Sequence, residues 1–275
     1  MPPTILSQSN TLSLDEVTAR LAAKDVVDGL LTIGSRNRNE LTPASDYDLI
    51  VILREVPVPL HVALTYIDHR ITDIIFVSVA EIARLLQNDR SPIAASWDQA
   101  QLIQWLRTGQ IVFDRSGQIK RAQNRVSEQP EKKAIENEVY SAWFSINYNL
   151  KHIRRLLVSD DPAYRMAVDL RLLFSLHDLW RFYFLLRDLP PQGEKAQFRY
   201  LSAHDPVYLE RFQQCLAESN RKQKVLLYEK LAQLTLAPVG ALWEDNETAI
   251  LPEPGANWKA NTVQDALALW ETLVS

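Results

Sequence analysis

The sequence predicts an α+β fold, in which a short mixed sheet flanked by helices is followed by an all-helical bundle. Two observations support this prediction. Before about residue 118, short apolar and β-branched runs alternate with turn residues, whereas from about residue 120 apolar residues recur every three or four positions with few glycines. Because strand-like composition gives way to helical composition there, we expect two domains, 1–118 and 119–275.

The first domain is expected to open with a helix, because Ser13 and Glu16 have the spacing of a capping box ahead of an apolar stripe. Asp114 stands in a turn ahead of Gly117, where an aspartate is normally structural. Apolar runs predict strands at 30–33, 49–53, 62–68, 71–77 and 111–114, and helical spacing predicts helices at 79–86 and 97–107.

The second domain is expected to be a helical bundle. Two long segments, 134–158 and 164–186, carry apolar stripes at helical spacing. Trp180 and the aromatic run 182–184 follow the same spacing, which favours a place in the core over a ligand pocket. A Pro-Gly break at 190–193 precedes a further helix.

Composition restricts the classes of function. A formal net charge of -4 argues against polymeric nucleic acid or an anionic membrane as a partner. The single cysteine, Cys215, excludes an intramolecular disulfide and a multi-cysteine zinc site. The start, Met-Pro-Pro-Thr, lacks a basic region followed by an apolar run, and no apolar run approaches the length of a bilayer. We therefore expect a cytoplasmic protein without membrane association.

The segment 34–51 combines an anion-binding turn with two carboxylates. Gly34 ends an apolar run and Ser35 opens a polar segment, so that backbone amides and a hydroxyl converge where a triphosphate can sit. Ten residues separate Ser35 from Asp46, and Asp48 follows two positions later at the start of an apolar strand. The period of two in a strand puts both acids on one face, where they can hold Mg²⁺.

Each half of this segment has a structural explanation when it stands alone. A Gly-Ser pair usually forms only a turn, and Asp-x-Asp is usually a solvated strand end or an Asx turn. The combination of an apolar strand, Gly-Ser, the fixed gap, Ser-Asp-x-Asp and a second apolar strand favours a functional site.

This combination resembles the DNA polymerase β-like nucleotidyltransferase superfamily, and within it the small bacterial members that include antibiotic and minimal nucleotidyltransferases. The chain departs from the usual pattern at Asn39, where glycine is common, although asparagine tolerates left-handed backbone geometry best among other residues. The positions that match the pattern are Gly34, Ser35, Arg36, Arg38, Pro43, Ser45, Asp46, Asp48, Leu49 and Val51.

The resemblance implies a third carboxylate on a neighbouring strand. Asp73, the acid within the apolar run 70–77, is our choice, because such a run is typical of a buried strand with one acid on a functional face. Asp68 is the rival, but a hairpin turn at that position would explain it without chemistry. Asp46, Asp48 and Asp73 would then bind two Mg²⁺ ions, and Asp73 would help to activate a hydroxyl.

The resemblance also implies a nucleoside triphosphate, ATP or another NTP, as co-substrate. Gly34 and Ser35 would hold its terminal phosphates, and Arg36 or Arg38 would add charge-assisted contacts. Lys195 is implied as a further phosphate ligand, since related helical domains carry a lysine after a Pro-rich turn. By itself, a lysine in the first turn of a helix is normally a solvated charge that opposes the helix dipole.

The expected reaction is the transfer of a nucleoside monophosphate, AMP from ATP, to an acceptor hydroxyl with release of pyrophosphate. The acceptor is expected to be a small molecule of aminoglycoside-like or lincosamide-like type, because a helical domain of about 150 residues can supply a cleft. Two alternatives stay open: a protein-modifying nucleotidyltransferase of the toxin and antitoxin kind, and a nucleotide-binding regulatory module with little catalysis. Related enzymes sometimes complete the site across a dimer, so a homodimer also stays open.

Overall fold

The protein is described here as a computed structural model covering residues 12–34, 41–42, 45–55, 58, 60–87, 97–127, 136–190, 192–245, 247–252 and 261–275. The chain forms two compact units, Met1–Pro130 and Glu131–Ser275. The first unit contains a five-stranded mixed sheet with helices, and the described residues of the second unit form helices joined by loops, without a strand. The predicted α+β fold is confirmed.

The first unit is built around the sheet, whose strand order is β3-β4-β2-β1-β5. Strands β2 and β4 are parallel, and the other neighbouring pairs are antiparallel, which confirms the short mixed sheet. The elements are α1 (Leu14–Ala22), β1 (Val27–Ile33), β2 (Tyr47–Leu53), β3 (Val62–Ile67), β4 (Arg70–Ser78), α2 (Val79–Gln87), α3 (Trp97–Thr108), β5 (Gln110–Asp114) and α4 (Gln118–Ser127).

Helices cover both faces of the sheet. On one face, which we call the α2–α4 face, Leu31, Ile50 and Val77 pack with side chains of α2, α3 and α4. On the other, which we call the α1 face, Leu30 and Leu49 pack with α1. Successive residues of a strand alternate between the two faces, so each central strand is apolar on both sides.

Local chemistry fixes the ends of the first-unit elements. The capping box of α1 is confirmed, since the Ser13 hydroxyl accepts from the Glu16 amide and the Glu16 carboxylate accepts from the Ser13 amide at 2.8 Å. The Asp114 carboxylate accepts from the Lys120 amide at 2.8 Å and so serves the first turn of α4. The domain boundary expected at residue 118 lies at the first residue of α4. Because α4 packs on α2 and α3, it belongs to the first compact unit, which extends to Pro130.

The second unit is a helical bundle, and both long helices predicted from the sequence are present. Trp180, Tyr183 and Phe184 are buried, so the core interpretation of these aromatic residues is confirmed. Within the described ranges, no helix combines the length and the apolar character needed to cross a bilayer. The elements are α5 (Glu136–Leu157), α6 (Pro162–Leu185), α7 (Glu194–His204), α8 (Pro206–Ala217), α9 (Arg221–Leu236) and α10 (Thr262–Val274).

The single cysteine offers a probe of this bundle. Cys215 on α8 is fully buried, and burial raises the pKa of its thiol to about 11. Because the thiolate is the reactive form, we expect a thiol reagent at neutral pH to label the native protein at least about tenfold more slowly than the unfolded chain. Labelling rates with and without guanidinium chloride measure this, and equal rates would contradict the buried position.

Candidate functional site

Four strands bring four residues into one row across the sheet. Leu64 of β3 lies opposite Asp73 of β4, Asp73 lies beside Asp48 of β2, and Asp48 lies opposite Ile33 of β1. Residues in register on neighbouring strands present their side chains on the same face. Strands are about 4.8 Å apart, so this row, which we call the acid row, extends over roughly 14 Å.

The acid row lies on the α2–α4 face. Asp48 precedes Ile50 by two positions and Asp73 precedes Ile75 by two, and both isoleucines belong to the apolar layer of that face. Both aspartates are half-buried at the end of the strands where this layer stops. Asp48 and Asp73 are therefore neighbours at the edge of the apolar layer.

Gly34 adjoins the same row at the β1 end. It follows Ile33, the partner of Asp48, and has a φ of +87°, a left-handed conformation that strongly favours glycine. A Cβ atom at this position would lie 3.7 Å from Oδ2 of Asp48. The backbone at Gly34 is thus close to the Asp48 carboxylate. Ser35, Arg36 and Arg38, the other predicted phosphate-binding residues of this segment, lie outside the described residues.

Asp46 stands just before β2 and is exposed. Just before it, Thr42 and Ser45 bond to each other, since the Ser45 amide donates to Thr42 O and the Thr42 amide donates to Ser45 Oγ, both at 3.0 Å. Arg70 of β4 donates to the carbonyl oxygens of Thr42 and, at 2.9 Å, of Ser45. Arg70 thereby connects the backbone just before Asp46 to β4, the strand that carries Asp73. The sequence analysis did not single out Arg70, although an arginine opening an apolar strand was an available signal.

Asp68, the rival third carboxylate, belongs to the β3–β4 hairpin turn. Asp68 and His69 have φ values of 50° and 60°, the left-handed geometry of a two-residue hairpin. Oδ2 of Asp68 accepts from the Leu14 amide at 3.2 Å and from the Tyr47 hydroxyl at 3.3 Å. Tyr47 packs on the α1 face, opposite to the acid row. The hairpin explanation of Asp68 is confirmed.

Lys195 lies in the second unit, in the first turn of α7, and is exposed. The helix begins after Gly193, as the Pro-Gly break predicted, and it has no side-chain cap. The assignment of Lys195 as a phosphate ligand stays a prediction.

The acid row offers oxygen ligands to a divalent cation. Carboxylate oxygens are the ligands that Mg²⁺ prefers, with bonds of about 2.1 Å, and two aspartates on strands about 4.8 Å apart can approach one ion. Among the described residues, however, no three His, Cys, Asp or Glu side chains are placed together to hold a metal. Asp48 and Asp73 therefore fit a cation in chemistry and placement, whereas the exposed Asp46 does not complete a three-ligand set with them.

Comparison with known proteins adds little to this picture. No family model matches the chain, and no curated protein is similar to it in sequence. A solved structure with some likeness is that of a nucleotidyltransferase-like protein from Exiguobacterium sibiricum 255-15, at 18% identity and a TM-score of 0.42, covering 82% of this chain and 75% of that chain. Function is therefore inferred from the residues of this chain.

Proposed function

We propose that the protein is a Mg²⁺-dependent nucleotidyltransferase that moves a nucleoside monophosphate, AMP from ATP, to the hydroxyl of a small-molecule acceptor. The observation that carries the proposal is the in-register pair of Asp48 and Asp73 beside the left-handed Gly34. Two carboxylates at a sheet edge, next to a glycine turn that follows a strand, combine the two requirements of phosphoryl transfer. These are oxygen ligands for a metal and a backbone surface for phosphate.

The metal ligands would be Asp48 and Asp73, joined by Asp46, two residues before Asp48. A rotation of the exposed Asp46 side chain would be needed for it to join the pair, because no three-ligand group is present among the described residues. Arg70 holds the backbone just before Asp46 and so would limit the positions that the Asp46 carboxylate can adopt. When bound, Mg²⁺ would supply positive charge that neutralises the negative charge developing on the phosphate oxygens.

The chain's own groups would have separate roles in the transfer. The backbone at Gly34, with Ser35, would bind the terminal phosphates, and Arg36 or Arg38 and Lys195 would add positive charge. Asp73 would accept the proton of the acceptor hydroxyl. The hydroxyl oxygen then bonds to the α-phosphorus, the bond from that phosphorus to the bridging oxygen breaks, and pyrophosphate leaves.

Pyrophosphate release tests this proposal directly. We expect the purified protein to release pyrophosphate from ATP or another NTP in the presence of Mg²⁺ and an acceptor panel, and to stop when EDTA removes the metal. Labelled NTP would show whether the label passes to a small molecule or to a protein. Calorimetric binding of NTP without pyrophosphate release under any of these conditions would replace the transferase by a regulatory nucleotide-binding module.

A further inference from the structure

Strand β3 presents three of its larger side chains to solvent, and its last residue, Ile67, is buried. Val62, Leu64 and Tyr66 are 57%, 70% and 56% exposed, whereas the alternate residues Ala63 and Thr65 are half-buried. A strand with one solvated face usually carries polar residues on that face. The arrangement in β3 is the reverse, and exposed apolar surface of this kind commonly marks a binding site.

Register places this surface on the α2–α4 face, beside the candidate site. Leu64 lies opposite Asp73, and Tyr66 lies opposite Ile71, which is itself 49% exposed. We call Val62, Leu64, Tyr66 and Ile71 the apolar strip. Its β3 residues border Asp73 on the side away from Asp48, and β3 contains no charged residue.

The direction of the proposed reaction assigns a role to the strip. Gly34 lies at one end of the acid row and Leu64 at the other, with Asp48 and Asp73 between them. In phosphoryl transfer the attacking and leaving oxygens are roughly in line on opposite sides of the phosphorus. If the terminal phosphates occupy the Gly34 end, the acceptor hydroxyl approaches from the Leu64 end.

We propose that the apolar strip binds the acceptor, and that the acceptor is a small molecule with an apolar, ring-sized surface beside its reactive hydroxyl. This inference rests on the proposed transferase function, because that function sets the direction of approach. It also narrows the acceptor class. An aromatic or alicyclic group would remove the exposed apolar side chains of β3 from water, whereas a polycationic amino sugar would leave them in water.

Size favours a small molecule over a protein at this surface. The strip is roughly 13 Å long, from the rise of about 3.3 Å per residue in a strand, and two strands wide. Four half-exposed apolar side chains offer roughly 400 Å², a patch of the size that monomeric proteins often use for function. A stable protein interface buries about 800 Å² on each partner, so the strip alone is too small for one.

A binding experiment that needs no turnover tests the inference. Backbone amide NMR spectra would be recorded during titration with 2-phenylethanol, an apolar alcohol, and separately with glucosamine, a cationic sugar. We expect 2-phenylethanol to shift amides in 62–66 and 71–75, and glucosamine to leave them unchanged. Leu64→Thr, which replaces the apolar side chain by a shorter, β-branched polar one that suits an exposed strand position, should weaken 2-phenylethanol binding about tenfold.

Val112→Thr is the matched control, because Val112 is a 42% exposed residue on β5, the opposite edge strand of the same sheet. It should leave 2-phenylethanol binding unchanged. The inference that the strip binds the acceptor would be wrong if the strip amides do not shift, if other residues shift instead, or if glucosamine causes equal shifts. It would also be wrong if Leu64→Thr binds 2-phenylethanol with wild-type affinity. Pyrophosphate release without binding at the strip would support the transferase function and contradict acceptor binding at the strip. Binding at the strip without pyrophosphate release would contradict the transferase function and therefore also the role of the strip in acceptor binding.

Discussion

Replacing Asp48 by asparagine should lower the rate of nucleotide transfer about a thousandfold, because the variant loses a negatively charged metal ligand that is worth several kcal/mol in the transition state. Asp73→Asn should cause a comparable loss, since its carboxylate is the in-register neighbour of Asp48. Both aspartates are half-buried and asparagine has nearly the same shape, so we expect both variants to fold. Pyrophosphate release at saturating NTP and Mg²⁺ measures the loss.

Asp68→Asn is the matched control for these two variants. Asparagine keeps an oxygen that can accept from the Leu14 amide and the Tyr47 hydroxyl, and it tolerates the φ of 50° at this position. We expect Asp68→Asn to retain the wild-type rate within about twofold, because Asp68 is bonded on the α1 face. A wild-type rate in Asp48→Asn, or an equal loss in Asp68→Asn, would contradict the assignment of the acid row.

Local pattern was sufficient to predict α1, α2, α3 and the five strands of the first unit, but not α4 or the neighbours of each strand. Asp46 and Asp48 could be recognised because their spacing and the apolar run after them are local features. The position of Asp73 beside Asp48 depends on the parallel pairing of β2 with β4. Parallel neighbours need a crossover connection, here through β3, and no local signal in either strand specifies that pairing.

The orientation of β3 shows a second limit. Up to Tyr66 its sequence alternates larger and smaller residues, Val-Ala-Leu-Thr-Tyr, and alternation alone favours burying the larger set. The structure exposes Val62, Leu64 and Tyr66 instead, because β3 is an edge strand and the apolar layer under α2, α3 and α4 is formed by the central strands. The apolar strip therefore appears only when register and helix packing are known.

In the second unit, helical periodicity predicted α5 and α6 but did not indicate how the bundle satisfies the carbonyl groups at its helix ends. Arg187, just after α6, donates to Leu234 O at 2.9 Å and to Thr235 O at 3.2 Å. These carbonyls belong to the last turn of α9, which has no further turn to bond them. The Arg187 guanidinium also lies 3.9 Å from the centre of the Tyr183 ring. One side chain thus joins the C-terminal ends of two core helices.

Arg187→Ala should lower the free energy of unfolding of the second unit by about 3 kcal/mol. The variant leaves carbonyls of α9 without their donor, removes a positive charge from a helix C-terminus, and removes a cation–π contact. Arg187→Lys should lose roughly half as much, because an ammonium keeps the charge but lacks the planar fork that reaches both carbonyls. Urea unfolding followed by thiol labelling of Cys215 measures the effect, since this buried thiol belongs to the same bundle.

Arg165→Ala separates this packing effect from the general loss of an arginine side chain in the second unit. Arg165 pairs at 2.8 Å with Asp160, whose side chain is 99% exposed, and an exposed ion pair contributes little because water and salt screen both charges. We therefore expect Arg165→Ala to unfold at the wild-type urea midpoint, whereas Arg187→Ala unfolds at a clearly lower one. Equal midpoints for the two variants would mean that the α9 carbonyls find water or another donor when Arg187 is absent. The link between the ends of α6 and α9 would then have no role in the stability of the bundle.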